Sequence, residues 1–239
     1  MGERAAGAPR TVLGLDGCPK GWVAVTLEDG RVNDVRVVGT VAAALATCTP
    51  AAVGIDMPVG LVDGPRDTDA AARALLPGRG AVVFSTAPRS VVEGYVAGTV
   101  TTHAAATARS VAACGVGLSQ QAWRLVPKMA EVEALAAAGV GLTEVHPELA
   151  FATVAGAPLP RKRSWPGLML RRRLLDDLGV ALPDRFLGDT DAAPDDVVDA
   201  AVCAWVADGI ASGAPLRHVP EDTAQVAHGR PIVITVRDR

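Results

Sequence analysis

Apolar and polar positions over the first sixty residues alternate in short runs that predict strands. Residues 11–16 (TVLGLD) form a β-rich apolar run, which the 17–21 segment GCPKG breaks. Residues 22–27 (WVAVTL) resume as a second strand, and Asp29-Gly30 is a strong two-residue hairpin signal. A third strand follows over 31–39, where Val32, Val35, Val37 and Val38 recur. Strands joined in this way predict an antiparallel meander. Residues 40–47 then turn Ala/Leu-rich and helical, with Thr40 as N-cap, and 51–56 (AAVGID) read as a fourth strand. A strand–helix–strand crossover places strand four beside strand one and parallel to it.

The stretch 60–138 is Ala-rich and mainly helical, with helices expected over 67–76, 89–96, 102–113 and 118–138 and a kink at Pro127. It predicts a helical insert, or a cap over the sheet edge, between strands four and five. Residues 139–145 read as the fifth strand, and His146-Pro147-Glu148 opens a short helix over 149–154. Residues 161–173 hold six basic side chains, and the last three, Arg171, Arg172 and Arg173, precede Leu174-Leu175 and predict a basic helix. A loop is expected over 183–191, a helix over 194–212 with Pro194 in its first turn, and a final strand or edge segment over 231–236. The expected fold is thus α/β: a mixed five-stranded sheet, three antiparallel strands and then parallel ones, flanked by helices. Residues 1–10 read as a flexible tail, and 11–239 as one domain.

The chemistry gathers where strands one and four end. Both close on Asp, as Gly-Leu-Asp16 and Gly-Ile-Asp56. Parallel neighbours bring these carboxylates to one edge of the sheet, the edge where open α/β sheets bind ligands. Adjacent carboxylates repel unless a cation lies between them, and Mg²⁺ or Mn²⁺ suits an all-oxygen site. Asp199 adds to the case, because a carboxylate inside an apolar helical run is costly unless paired. Asp196 shares its helix face, although acids in a first turn are also explained by the helix dipole. Glu144 and His146 point to one side of an extended chain at the end of strand five. Glu144 is therefore a candidate catalytic acid, and His146 a candidate substrate contact or a hydrogen-bonded structural imidazole. Lys20, Arg66, Arg89, Gln120 and Lys128 complete the candidate substrate contacts. Arg in particular suits bidentate phosphate binding, but any one such cation is more often a solvated face.

Composition trims this picture. Apolar residues make up 49 % of the 239, enough for a sizeable core, but aromatics make up only 3 %, so that core is mostly Ala, Val and Leu. The same scarcity leaves few aromatics to be exposed for base stacking. A net charge of −3 argues against a tight grip on long nucleic acid and confines any such contact to a local patch. The four cysteines form no CxxC pair, which points away from zinc and toward reduced thiols in a cytoplasmic setting. No apolar run reaches membrane-spanning length, and the first ten residues do not read as a signal peptide. No P-loop, nucleophile elbow or HExxH motif is present.

The segments 14–22 (GLDGCPKGW), 55–60 (IDMPVG), 119–121 (SQQ), 127–128 (PK), 144–148 (EVHPE) and 195–200 (DDVVDA) resemble a family of unknown function whose members are regarded as predicted RNase H-like nucleases. The resemblance runs from about residue 11 to 236. It implies an RNase H-like fold with Asp16, Asp56 or Glu144, and Asp199 in the places of that fold's catalytic acids, where two metal ions assist phosphodiester cleavage. One departure is that the family often shows Arg-x-Cys-Asp where this chain has Arg66-Asp67-Thr68-Asp69. The expected activity is that of a metal-dependent nuclease or phosphodiesterase acting on nucleic acid or a small phosphoester. The alternative is a non-catalytic binding module that keeps the fold. Phosphotransfer to a small substrate ranks third, because the glycine-rich phosphate loops it needs are missing. A homodimer is left open.

Overall fold

The computed structural model describes residues 9–184 and 192–239. Strands β1 (Thr11–Cys18), β2 (Gly21–Glu28) and β3 (Arg31–Val38) form the meander, and Asp29 and Gly30 both take the positive φ that a tight hairpin needs. Gly17 does not break the first strand. β1 continues two residues past Asp16, and Cys18 pairs with Gly21, so only Pro19 and Lys20 make the turn. The short α1 (Val41–Leu45) is capped by the Thr40 side chain, which accepts from the Ala43 N–H, and leads into β4 (Val53–Asp56).

β4 lies parallel to β1, and β5 (Leu142–Glu144) lies parallel to β4, giving the order β3-β2-β1-β4-β5. Between β4 and β5 run α2 (Asp67–Ala74), α3 (Arg89–Val96), α4 (His103–Cys114) and α5 (Gln120–Ala137). The last three pack with α1 against the sheet face that carries Leu13, Leu15, Trp22, Val53 and Ile55. Helices α6 (Pro147–Ala155), α7 (Trp165–Asp177) and α8 (Pro194–Ser212) cover the opposite face, against Val12, Cys18, Val23 and Val25. Each fully buried Val or Leu contributes roughly 1.5–3 kcal/mol to this three-layer arrangement.

Some sequence expectations shift. Arg171, Arg172 and Arg173 lie on α7 as expected, while Arg161, Lys162 and Arg163 precede it. Residues 231–236 are not one strand: β7 (Val226–Ala227) and β8 (Arg230–Pro231) make a hairpin, while β9 (Ile234–Arg237) pairs with β6 (Leu216–Val219). Arg10, read as part of a tail, is tied down by a 2.8 Å ion pair to Asp208. The rest of that tail, residues 1–8, and the loop expected over 183–191 from residue 185 on lie outside the described residues.

α8 is buried nearly all round, and its seat on the sheet is set by two glycines. A Cβ at Gly14 would stand 2.1 Å from the Ala200 carbonyl oxygen, and one at Gly54 would stand 2.3 Å from that of Cys203. Both obstacles are backbone, so neither can swing aside. Gly14→Ala and Gly54→Ala should each cost about 3 kcal/mol or more in denaturant unfolding, at the upper end for overpacking. A loss below about 1 kcal/mol would show that α8 can lift without penalty.

Candidate functional site

Alternation along the strands fixes the site. Gly14 and Gly54 face α8, so the residues two places on, Asp16 and Asp56, face it too. Asp16 and Asp56 are direct register partners of the parallel β1–β4 pair. Asp199 lies one turn before Cys203 on α8, which brings its carboxylate, 1 % exposed, to the same two acids. The sequence expectation that strands one and four align these carboxylates matches this register.

Lys162 enters from the segment before α7, and its ammonium donates to Asp199 Oδ2. The other oxygen, Asp199 Oδ1, is buried with no hydrogen-bond partner. Asp196, half-buried in the first turn of α8, lies near Lys162, while Asp195 accepts from Arg163 Nε at 3.2 Å.

Charge is under-compensated here. Burial, then the Asp56 and Asp199 carboxylates, push Asp16 well above the usual carboxylate range. Burial pushes Asp56 up to about 6, with Lys162 opposing. Asp199 rises to about 7 through burial, and there again Lys162 opposes while Asp56 adds to the rise. Burial works against the Lys162 ammonium, but Asp199 and Asp16 outweigh it and raise its pKa. Asp196 is raised by burial and by Asp195.

Three carboxylates around one ammonium, with an orphaned carboxylate oxygen, form an all-oxygen donor set whose repulsion a divalent cation would relieve. By donor chemistry the residues fit Mg²⁺ or Mn²⁺. Among the described residues no group of three or more His, Cys, Asp or Glu side chains is placed so that it could hold a metal ion as it stands.

The other candidate residues lie elsewhere or are engaged. Glu144 is not with the three acids. It pairs with Ile55, not Asp56, so its side chain takes the opposite face of the sheet. There it accepts from Arg66 at 3.1 and 2.6 Å, and from the Val59 N–H at 2.8 Å. Burial raises its pKa, and Arg66 opposes this. Arg66 is in turn held by Asp69 and is itself buried. His146 caps α6 by accepting from the Leu149 N–H at 3.3 Å, and burial lowers its pKa so that it stays neutral. Arg89 donates to the Leu61 carbonyl, and Lys128 donates to the Gly21 carbonyl with its ammonium 4.7 Å over the Trp22 ring. Gln120 holds His103 Nδ1 at 2.9 Å. Lys20 lies exposed in the β1–β2 turn.

A crevice of about 30 Å³ reaches Asp56 beside Arg66, Asp69, Glu144 and His146. It has room for about two waters. A larger concavity, about 630 Å³, lies away from the acids, between α3, α5 and the β7–β8 hairpin.

A model of a family described as "Protein of unknown function (DUF429)" matches residues 14–224, and the chain belongs to that family. No curated protein and no solved structure matches it. No helix among the described residues is long and apolar enough to cross a membrane.

Two expected outcomes follow from the charges. Glu144→Gln breaks a buried pair with Arg66 and should cost about 3–5 kcal/mol in denaturant unfolding while leaving Mn²⁺ affinity unchanged in the folded variant. Lost affinity would put Glu144 back among the three acids. For Asp56, a folded pKa of about 6 against an ordinary 3.8 means the folded state holds the proton more tightly. Stability therefore falls as pH rises from about 4 to about 6, and the whole penalty is felt above that. In EDTA at pH 8, Asp56→Asn should be more stable than wild type by up to about 3 kcal/mol, and at pH 4 the gain should vanish. A gain that does not change between these pH values would mean that the Asp56 charge is not strained.

Proposed function

We propose that this member of the family hydrolyses phosphodiester bonds, with Asp16, Asp56 and Asp199 as its catalytic acids. The observation that carries the reading is the register pairing of Asp16 with Asp56 beneath Asp199, with Lys162 beside them. Three antiparallel strands followed by parallel ones, with an acid-bearing late helix across them, support an RNase H-like assignment. In that reading α2–α5 are an insert between β4 and β5. The free cysteines are consistent with a reducing, cytoplasmic setting.

Mg²⁺ or Mn²⁺ would be held by Asp16, Asp56 and Asp199, with Asp196 at the rim. A divalent ion so bound supplies a lowered pKa to water and positive charge to the leaving oxygen. The chain's own groups do the rest. Asp199 Oδ1, unpartnered and buried, is an oxygen that can accept without giving up another bond. Lys162 brings a cation to the place where phosphate oxygens would otherwise meet only carboxylates. In the hydrolysis the water oxygen bonds to phosphorus and the P–O bond to the leaving group breaks. The proton lost by water passes to a carboxylate oxygen, and the leaving oxygen regains one from solvent.

One observation favours a second reading. Lys162 already compensates Asp199, as it would in a non-catalytic module that binds nucleic acid or a small ligand.

Calorimetry with Mn²⁺ on wild type and Asp16→Asn separates the two, combined with cleavage of bis(p-nitrophenyl) phosphate and of labelled single-stranded DNA and RNA. Wild type should bind Mn²⁺ and cleave at least one of these substrates. The variant should lose binding, and cleavage should fall at least about 100-fold. Wild type that binds no Mn²⁺ at millimolar concentration would remove the metal site and leave the binding module. Binding without turnover on any substrate would remove the hydrolase.

A further inference from the structure

Trp165 is 75 % exposed, more than any other large apolar side chain described. The other tryptophans have work inside the fold. Trp22 and Trp205 are buried, and Trp123 meets Tyr95 edge-on with ring centroids 6.1 Å apart. Nothing in the packing explains an indole left in water at the first position of α7.

The segment that presents it is held firmly. The Arg161 carbonyl accepts from the Ser164 N–H at 2.9 Å and from Ser164 Oγ at 2.7 Å. Ser164 Oγ caps α7 by accepting from the Gly167 N–H at 3.2 Å. The Pro160 carbonyl accepts from the buried Arg171 at 2.9 Å. At Gly167 a Cβ would stand 2.0 Å from the Arg161 carbonyl oxygen, so only glycine lets the segment lie this close to α7. The same segment is tied to the acidic site. Lys162 reaches inward to Asp199, and Arg163 pairs with Asp195 while 85 % of its side chain stays exposed. Arg161 is exposed beside them.

A firmly held segment thus sets three cations just before an exposed aromatic, with Lys162 reaching the acids, on a chain of net charge −3. We propose that residues 161–165 are a platform for an unpaired nucleotide. Trp165 stacks on the base, Arg161 and Arg163 hold the flanking phosphates, and Lys162 meets the phosphate delivered to the carboxylates. Lys162 and Trp165 are three residues apart, a separation of at most about 11 Å, so the stacked base belongs to a nucleotide close to the one cleaved. The substrate class is single-stranded nucleic acid, because a duplex keeps its bases stacked inside and offers no free face to the indole. This assignment rests on the phosphodiesterase reading above.

The test is fluorescence anisotropy on the full chain with labelled 12-nucleotide dT and rU strands and a duplex of equal length. It is run in EDTA, in the wild-type and Asp16→Asn backgrounds, so that neither cleavage nor carboxylate repulsion masks binding. Both backgrounds should prefer single strands to duplex. Trp165→Ala should weaken single-strand binding about 5–150-fold, the range for one lost base stack, and Trp165→Phe should keep most of it. Arg161→Ala and Arg163→Ala should each flatten the salt dependence. Thermal unfolding of Trp165→Ala should match wild type, since the indole is exposed. Single-strand affinity unchanged in Trp165→Ala overturns the platform, and so does the absence of binding at about 100 µM in both backgrounds. Cleavage of bis(p-nitrophenyl) phosphate without oligonucleotide binding would sink the platform and spare the hydrolase. Trp165-dependent binding with no cleavage of any substrate would do the reverse.

Discussion

The closeness of α8 to the sheet is the constraint from which the rest follows. Gly14 and Gly54 have no side chains, and the backbone of α8 occupies the space that Cβ atoms would need. A helix resting on larger side chains at these two positions would stand further from the sheet, and acids on both would be drawn apart. The two glycines let Asp199 come close to Asp16 and Asp56. The pattern Gly-Leu-Asp and Gly-Ile-Asp is therefore one device repeated on neighbouring strands: a glycine to admit the helix, an apolar residue for the other face, and an acid to meet the helix one turn along.

The molecule treats its buried acids in two ways. Glu144 has Arg66 and a backbone N–H, and Glu148 has Arg171 at 2.7 Å and Arg79 at 3.5 Å. Both are compensated by guanidinium partners, as buried charges must be. Asp16, Asp56 and Asp199 share Lys162, and the result is raised pKa values and an orphaned oxygen. A fold that can supply arginine to Glu144 and Glu148 is not short of counter-charge. Three acids sharing one ammonium, with an oxygen of Asp199 left unpartnered, is the pattern expected where acids are kept available for a ligand.

Much of this was legible in the sequence. The meander, the parallel crossover and the pairing of Asp16 with Asp56 follow from hairpin chemistry and from the usual handedness of crossovers. Asp199 stood out because it is a carboxylate inside an apolar run. Glu144 was harder to place because facing depends on register. Pairing with Ile55 instead of Asp56 turns it to the other side of the sheet, and nothing local to strand five reveals that. Lys162 was hidden among six basic residues between Arg161 and Arg173. Only the packing of α7 and its leading segment against α8 sends Lys162 to Asp199 and Arg171 to Glu148. Composition shows that aromatics are few, but it cannot show that one of them is left in water.

That selection among similar residues gives the segment before α7 its importance. Arg171 fastens the Pro160 carbonyl and Ser164 fastens that of Arg161, so the backbone that carries Lys162 is held by α7 as well as by the pairs with Asp199 and Asp195. The scaffold thus places the backbone from which the Lys162 ammonium reaches Asp199. Backbone held in this way limits how far the cation must be reorganised when a ligand arrives, in keeping with preorganised electrostatics. The glycines fix where the acids stand, and the α7 segment fixes where the cation stands. The two supports converge on α8, which rests on the glycines on one side and is paired with the segment before α7 on the other.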